Sequence, residues 1–532
     1  MTDTPPPATT GNLPLKIVML AVISAVIAYL AMSKARLGTV PGAVIGSSVF
    51  GIGIFAVMKL TAAPRELWFT FGLKFFSVTA YKIVTVVLVS YLIKDCGLTD
   101  SHAQLAFGIW GVFMSISTVL AGSVTDAMGL RRTLLLGVTL CLVSRVLMAA
   151  STNPWFSLTC ALVPLAVGEA LCTPVLVAAT RKFTTASQRS VAFSVFYAIL
   201  NLGFMVAYYI RDGVQAAVPS GTAWTVAGME LSPQRALFLV STGVELLVLP
   251  FILMLRPGAE MTEEGLQVKV EAPKYAGAGL WMAFRMTARD SARETGRLLG
   301  ILIRHPGFGR LLVFLMMIGL LKIVFSIADG VLPTFVEREL GAEGAKKAGG
   351  INNVNSILIL IFAPLAGMLT RKFSAYSMVI FGGFITALSF IFIALPTDVF
   401  AGMAAGPVGK AIGNGFLELE GAVHPYFVML VLWQVGFSLG EAFYSPRVYE
   451  YAVSIAPKGQ EASYAALSAV PLLMGKLATG AMFSFLLSRY CPADGPRDSA
   501  TMWQIVGCLV LIAPVGLLLL RRFIRVQEEG RP

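Results

Sequence analysis

Stretches of about 20 mostly apolar residues recur along the whole of this chain, and no other feature restricts its fold as strongly. Apolar runs of that length must be kept from water, and inside a bilayer each must satisfy its own backbone polar groups, as a helix does. With 56% hydrophobic and 13% charged residues and a mean hydropathy of +0.77, the 532-residue chain has too little polar surface for a soluble protein. The first apolar run, from Leu15, follows a neutral, proline-rich start and ends without a small-residue cleavage site, so it is not read as a secretory signal. The expectation is an all-α, multi-pass membrane protein. Helices can be drawn at roughly 15–33, 39–58, 67–93, 104–125, 133–150, 155–178, 190–210, 236–255, 310–333, 351–370, 376–395, 424–452, 463–488 and 502–521, about fourteen in all.

The net charge of +12 records topology rather than a nucleic-acid partner. Basic residues concentrate in segments that would face the cytoplasm, among them Arg181, Lys182, Arg371, Lys372, Arg521 and Arg522. The positive-inside rule then puts both termini in the cytoplasm, in what is expected to be a bacterial inner membrane. Six cysteines are scattered without CxxC spacing. Cys141, Cys160, Cys172 and Cys508 fall in helices as small packing residues, Cys96 and Cys491 fall in outer loops, and free thiols are expected. The three histidines lack metal-ligand spacing, and no cofactor is expected.

The helices group around one long inner segment. Residues 1–66 form a tail and an extra transmembrane hairpin, 67–256 a six-helix bundle, 257–309 a cytoplasmic linker, 310–522 a second six-helix bundle and 523–532 a cytoplasmic tail. Two such halves are a common organisation of secondary transporters. The linker opens polar and then sets Trp281, Phe284, Ala288, Leu298 and Leu302 among Arg285, Arg289, Arg293 and Arg297, the pattern of an amphipathic helix on the inner leaflet; a solvated charged linker is the alternative. Gly42, Gly46, Gly51 and Gly53 in the hairpin would permit close helix approach, for packing or assembly, with the oligomeric state left open.

Between the second and third helices of the first half lies GSVTDAMGLRRTLLLG, in which Gly122, Asp126, Gly129, Arg131 and Arg132 resemble the inner-loop signature of the major facilitator superfamily. An Asp there can accept from an Arg or a helix N-terminus, making a latch whose partners differ between conformations. The second half carries a decayed copy, GMLTRKFS, with Arg371 at the Asp position. Three further stretches resemble the proton-coupled oligopeptide transporter family: FSVFYAILNLGFMV through Phe196, Tyr197, Asn201 and Gly203; NNVNSILILIFAPL through Asn355 and Pro364; and SLGEAFYSPRVYEYAVSIAPKG through Gly440, Glu441, Ser445, Pro446, Glu450, Ala456 and Pro457. The resemblance covers roughly 67–521 and implies the major facilitator fold with proton-coupled symport of peptide-like solutes. It also implies that Glu450 faces the substrate and can accept its amino group.

The departures bear on coupling. Where the resembled family has an E-x-x-E-R motif on its first helix, this chain has Lys74, Ser77 and Val78, and the tyrosine pair that follows becomes Tyr81 and Lys82. Where the family has a lysine before a proline on its fourth helix, Thr173 precedes Pro174.

An ammonium at the bilayer centre costs about 2.5–3.5 kcal/mol on insertion scales, so Lys82, near mid-span, needs a polar cavity or a partner. Lys74 lies near a helix end and can instead snorkel. Both are candidate anion or proton sites. Glu169 can partner Lys82 or Lys74, or form a structural pair with Arg145; Glu245 has no partner readable from sequence. In the second half Lys322 and Asp329 share a helix face, and Asp329 is a candidate outer gate. Glu450, Glu169 and Glu441 are the candidate coupling acids, and Asp126, Arg131, Arg132 and Asp329 the candidate latch and gate. Glu441 and Arg447 can alternatively satisfy each other, and Lys476 has no assigned partner. Tyr81, Tyr197, Asn201, Asn355 and Trp433 are candidate lining residues, with packing against lipid or protein the alternative for the aromatics.

No nucleophile–base–orienter spacing and no nucleotide motif occurs, so an enzyme is not expected. The expected function is secondary active transport, by alternating access and with proton coupling, of a small polar, anionic or zwitterionic solute. An exporter or uniporter of the same fold, or a non-transporting membrane sensor or assembly component, remains open.

Overall fold

The computed structural model describes residues 39–524 apart from 61–62, 218–223, 227, 263–264, 371–372, 455–479, 481 and most of 269–307, together with a few residues between 21 and 29. Side chains at some helical positions, including Asp126, Pro446 and Glu450, also lie outside the description.

Apolar stretches become helices in sequence order: α1 (Thr39–Lys59), α2 (Arg65–Lys94), α3 (Asp100–Met128), α4 (Leu130–Ala150), α5 (Pro154–Lys182), α6 (Ala186–Ala217) and α7 (Pro233–Met254). In the second half come α8 (Phe308–Ser326), α9 (Leu332–Leu369), α10 (Ala375–Ala394), α11 (Asp398–Ala405), α12 (Pro425–Ser454) and α13 (Ser499–Leu519). Small polar residues begin several of them by accepting the backbone N–H three residues on: Thr99 for α3, Asn153 for α5, Ser232 for α7, Ser374 for α10 and Asp498 for α13. Gly129 (φ 80°) both ends α3 and begins α4, a turn that a side chain would strain.

Nine described stretches are long and apolar enough to cross a bilayer, one of which, Leu312–Ala363, covers two expected spans. A break at Gly341 (φ 62°, ψ −148°) divides α9, which as a straight helix of 38 residues would run about 57 Å, nearly twice a hydrocarbon core. The expected spans 15–33 and 463–488 fall mostly outside the described residues, as does Lys476; each of the others overlaps a described helix.

Three places differ from a bare helix-and-loop expectation. Two short antiparallel hairpins form, β1 (Trp224–Val226) with β2 (Met229–Leu231) and β3 (Ala259–Thr262) with β4 (Gly265–Val268). The second occupies the polar start of the linker, where Gly265 (φ 118°) follows the turn. Residues 398–416, between two spans, are also helical, with α11 followed by turns at Pro407–Gly409 and Lys410–Phe416. Most of the amphipathic stretch lies outside the described residues; those described within it, including Met282, Arg285, Met286, Arg289 and Arg293, are helical and exposed.

Apolar cores form separately in the two halves. In the second, Trp433, Trp503, Phe390 and Phe437 pack ring on ring, and Trp433 is fully buried there instead of lining a site. In the first, one cluster gathers around Tyr91 and Phe238 and another around Leu134, Val175 and Phe183. On α1, Val44, Val49 and Ile52 pack against Leu202, Met205 and Tyr209 of α6, with Ile357 of the second half in the same cluster. Gly46 allows close approach within the N-terminal hairpin, where a Cβ would lie 2.6 Å from that of Ala28.

Hydrocarbon surroundings give no hydrophobic drive between helices, so small residues that bring backbones together matter more. A Cβ on Gly440 of α12 would meet Thr386 Oγ1 at 2.2 Å and the Gly382 carbonyl of α10 at 2.6 Å. Gly440→Leu is therefore expected to separate α10 from α12 and destabilise the second half by about 1–3 kcal/mol. Thermal unfolding in detergent would register this as a lowered midpoint; an unshifted midpoint would mean the contact is not tight.

Candidate functional site

Lys82 meets a carboxylate from the far half of the chain. Its Nζ donates to Asp329 Oδ1 at 2.5 Å, joining α2 to the segment between α8 and α9. That segment, Ile327–Val331, is a widened helical turn, which leaves the Ala328 carbonyl free to accept from Asn352 Nδ2 at 2.9 Å. Asn352 in turn accepts from Gln434 Nε2 at 2.9 Å. The Phe204 and Tyr208 rings lie 4.4 and 5.1 Å from the ammonium, and the Tyr208 hydroxyl donates to Asp329 at 3.4 Å. The ion pair is nearly buried, with side-chain exposures of 7% and 15%.

Below it a second polar group bridges the halves. Glu441 on α12 accepts from Asn355 Nδ2 at 2.9 Å and from the Tyr197 hydroxyl of α6 at 3.4 Å. The charges of Lys322 and Lys82 both act on it. Lys322 donates to Ser445 Oγ at 2.9 Å, with the Phe325 and Tyr444 rings at 4.5 and 5.3 Å. Arg447 donates to the Thr370 hydroxyl at 3.0 Å, and Glu441 is held by Asn355 and Tyr197, so these two do not satisfy each other. Lys82, Asp329, Tyr197, Asn355, Glu441 and Lys322 thus form a polar seam between the halves.

Glu169 stands elsewhere. Arg145 Nη2 donates to Glu169 Oε1 at 2.6 Å, and Arg145 Nη1 lies 3.1 Å from Glu245 Oε2, all three side chains being buried inside the first half. Of the alternatives open for Glu169, the pair with Arg145 is the one formed, while Lys82 is taken by Asp329. Lys74 is buried, 4.8 Å from the Phe196 ring, and feels the charge of Glu169, so it does not snorkel. The thiols of Cys141 and Cys172 and a Glu245 oxygen lie within 4.8 Å of one another, which is metal-like spacing. The Arg145 guanidinium already sits against that carboxylate and supplies the positive charge a metal would bring. Among the described residues all six cysteines are free thiols.

Tyr81 stands near the seam, where the charge of Asp329 acts on it. Tyr81 stacks on Trp110 (6.4 Å) within the first half, and the Asn201 amide donates to Tyr197 O at 3.0 Å on its own helix. Arg131 and Arg132 lie at the end of the bundle where α2 begins, half-buried and exposed respectively. The side chains of Asp126 and Glu450 are outside the described residues.

Sequence reasoning missed a row of contacts at the end where α2 terminates. Lys94 pairs with Glu337 and Asp100 with Arg338. Gln104 Nε2 donates to Gly330 O at 2.7 Å, and Arg211 Nη1 to Ala345 O at 2.9 Å. Asp212 accepts from the N–H groups of Gly349 (3.0 Å) and Gly350 (2.6 Å). The adjacent glycines were the available signal, because a Cβ at Gly349 would lie 2.5 Å from Asp212 Oδ1. All of these contacts join one half to the other, so the two halves are clasped at this end.

Comparisons with known proteins agree with this architecture. The model of the Major Facilitator Superfamily matches residues 67–417. A peptide transporter POT solved in complex with sulfate superposes with a TM-score of 0.61 at 17% identity, covering 88% of this chain and 98% of that one. A POT family transporter in complex with 5-aminolevulinic acid gives 0.61 at 16% identity, over 87% and 97% of the two chains. A bacterial homologue of the human drug peptide transporters PepT1 and PepT2 gives 0.59 at 18% identity, over 86% and 98%.

Proposed function

The chain belongs to the major facilitator superfamily, and from that premise we propose that it is a proton-coupled secondary transporter of a small anionic or zwitterionic solute, working by alternating access. The observation that carries this is the Lys82–Asp329 pair, which ties one half to the other close to mid-span. With the termini in the cytoplasm, the row from Lys94–Glu337 to Asp212–Gly350 lies on the outer side, and the described conformer is closed there. A substrate carboxylate or phosphate that takes the Lys82 or Lys322 ammonium would compete with the bonds holding the halves together. Two fold neighbours were solved with sulfate and with 5-aminolevulinic acid, ligands of the class proposed for this seam.

Glu441 is the coupling acid best placed in the described seam. Protonated, it would no longer offer a full negative charge to Tyr197 and Asn355, or to the cations on either side. Glu450, on the same helix, is a second candidate acid, with Glu169 the third. The proposed division is a bundle over 67–256, a second over 310–522 and a linker between them, with the N-terminal hairpin as an addition.

Purified protein in proteoliposomes tests the proposal. With the interior made alkaline, labelled dialanine or 5-aminolevulinate is expected to accumulate above its external concentration, and a protonophore is expected to abolish the excess. Glu441→Gln should keep exchange of labelled for unlabelled solute while losing gradient-driven accumulation. Equilibration without accumulation would favour a uniporter. Binding with no flux in either direction would favour a sensor.

A further inference from the structure

At the end of the first half opposite the clasp, a cavity of about 560 Å³ opens where α2 begins, α4 begins and α7 ends. Arg65, Arg131 and Arg256 line it together with Phe69, Leu253 and Met254. Two of the three guanidiniums are tethered to one acid: Arg256 Nε donates to Glu66 Oε1 at 2.5 Å, and Arg65 Nε reaches the same oxygen at 3.4 Å. Glu66 is itself fully buried, so this lock is part of the packing and does not consume the cavity. Arg131 makes no ion pair among the described residues. Among the described residues, three cations stand against one carboxylate here, so the described lining is positively charged.

Its other wall is apolar and open. Leu253 and Met254 are more than half exposed at the last turn of α7, beside the arginines. This end of the bundle carries the basic segments that the positive-inside rule assigns to the cytoplasmic face, so the exposed apolar side chains stand at the level where headgroups meet acyl chains. A ligand matching both walls has a negatively charged oxyanion at one end and hydrocarbon at the other.

We propose that this cavity is a binding site for an anionic phospholipid of the inner leaflet, its phosphodiester held by Arg65, Arg131 and Arg256 and its acyl chain laid along Phe69, Leu253 and Met254. Guanidinium groups suit this role because their planar donors can take two phosphate oxygens at once. The site lies at the root of the linker, since Arg256 directly precedes Pro257 and the β3–β4 hairpin. A bound lipid would therefore anchor the end of α7 from which the chain leaves for the second half. The inference stands on its own geometry and does not depend on the transport reading.

The test is lipid competition followed by native mass spectrometry of the delipidated full chain. Phosphatidylglycerol and phosphatidylcholine with identical acyl chains are supplied together. The wild type is expected to retain phosphatidylglycerol at least about tenfold over phosphatidylcholine, since two or more guanidinium contacts discriminate the anionic headgroup. Arg65→Gln with Arg131→Gln, which leaves the Arg256–Glu66 lock intact, is expected to remove most of that preference. Arg65→Gln alone, at a well-exposed side chain, should remove part of it without endangering the fold. Arg521→Gln with Arg522→Gln removes as much charge from an exposed stretch elsewhere and should leave the preference in place. The proposal is overturned if the wild type shows no preference, or if both double variants lose it equally. It is also overturned if inorganic phosphate or glycerol phosphate displaces the lipid with the same arginine dependence, because the cavity would then be a free-anion site.

Discussion

Asp329→Asn and Lys82→Gln are each expected to cut solute flux by at least about tenfold while leaving the protein folded, which corresponds to roughly 1.4 kcal/mol or more lost from the transport cycle. Each removes one member of a nearly buried ion pair and leaves its partner uncompensated. Lys82 would keep its two aromatic neighbours but lose its carboxylate; among the described residues, Asp329 would keep the long bond from Tyr208. The pair joins the halves, so the penalty falls on the arrangement closed at the clasped end and not equally on every conformer. Neutralisation should then raise the fraction open at that end, which spin labels placed near residues 94 and 337 would report as a longer distance. A coupling of 1–3 kcal/mol between distant sites is ordinary for such two-state elements.

Exchanging the charges separates this account from a simple requirement for lysine at 82. Lys82→Asp combined with Asp329→Lys restores opposite charges across the same gap, and flux is expected to recover in part relative to either single reversal. Were both single neutral variants to carry solute at the wild-type rate, the pair would be a structural contact and the proposal would lose its main support.

Much of the scaffold is legible in the sequence because the bilayer imposes a length and a composition on every span. The need of Lys82 for a partner is legible for the same reason. The identity of that partner is not, because Asp329 lies 247 positions away on the other half. Spacing along one helix shows which face Asp329 shares with Lys322, but nothing local says what that face meets. The widened turn at Ile327–Val331 has no propensity signature either; it becomes intelligible only once Asn352 is seen to take the freed carbonyl. Glu169 illustrates the converse. Sequence leaves Arg145, Lys74 and Lys82 as alternatives for it, and helix packing alone decides in favour of Arg145. The clasp at Gly349 and Gly350 was signalled by two adjacent glycines, yet glycine pairs mark close approach without naming the visitor.

Arg145→Met is expected to be among the most destabilising single substitutions in the first half, by about 3–5 kcal/mol, because it strips the shared cation from two buried carboxylates. Arg145, Glu169 and Glu245 are exposed by only 0%, 4% and 1%, so water cannot take over the lost pairing. With every group ionised, Lys74, Arg145, Glu169 and Glu245 would make two cations and two anions. Arg145→Met leaves that set one negative charge in excess. Adding Glu245→Gln restores neutrality, with Glu169 and Lys74 left to face each other, and the double variant should recover a large part of the lost stability. Thermal unfolding of the single and double variants in one detergent measures this directly. If the single variant were as stable as the wild type, or the double no more stable than the single, charge balance within the cluster would not be what holds α4, α5 and α7 together, and packing through Gly137 and Gly168 would have to carry the α4–α5 contact instead.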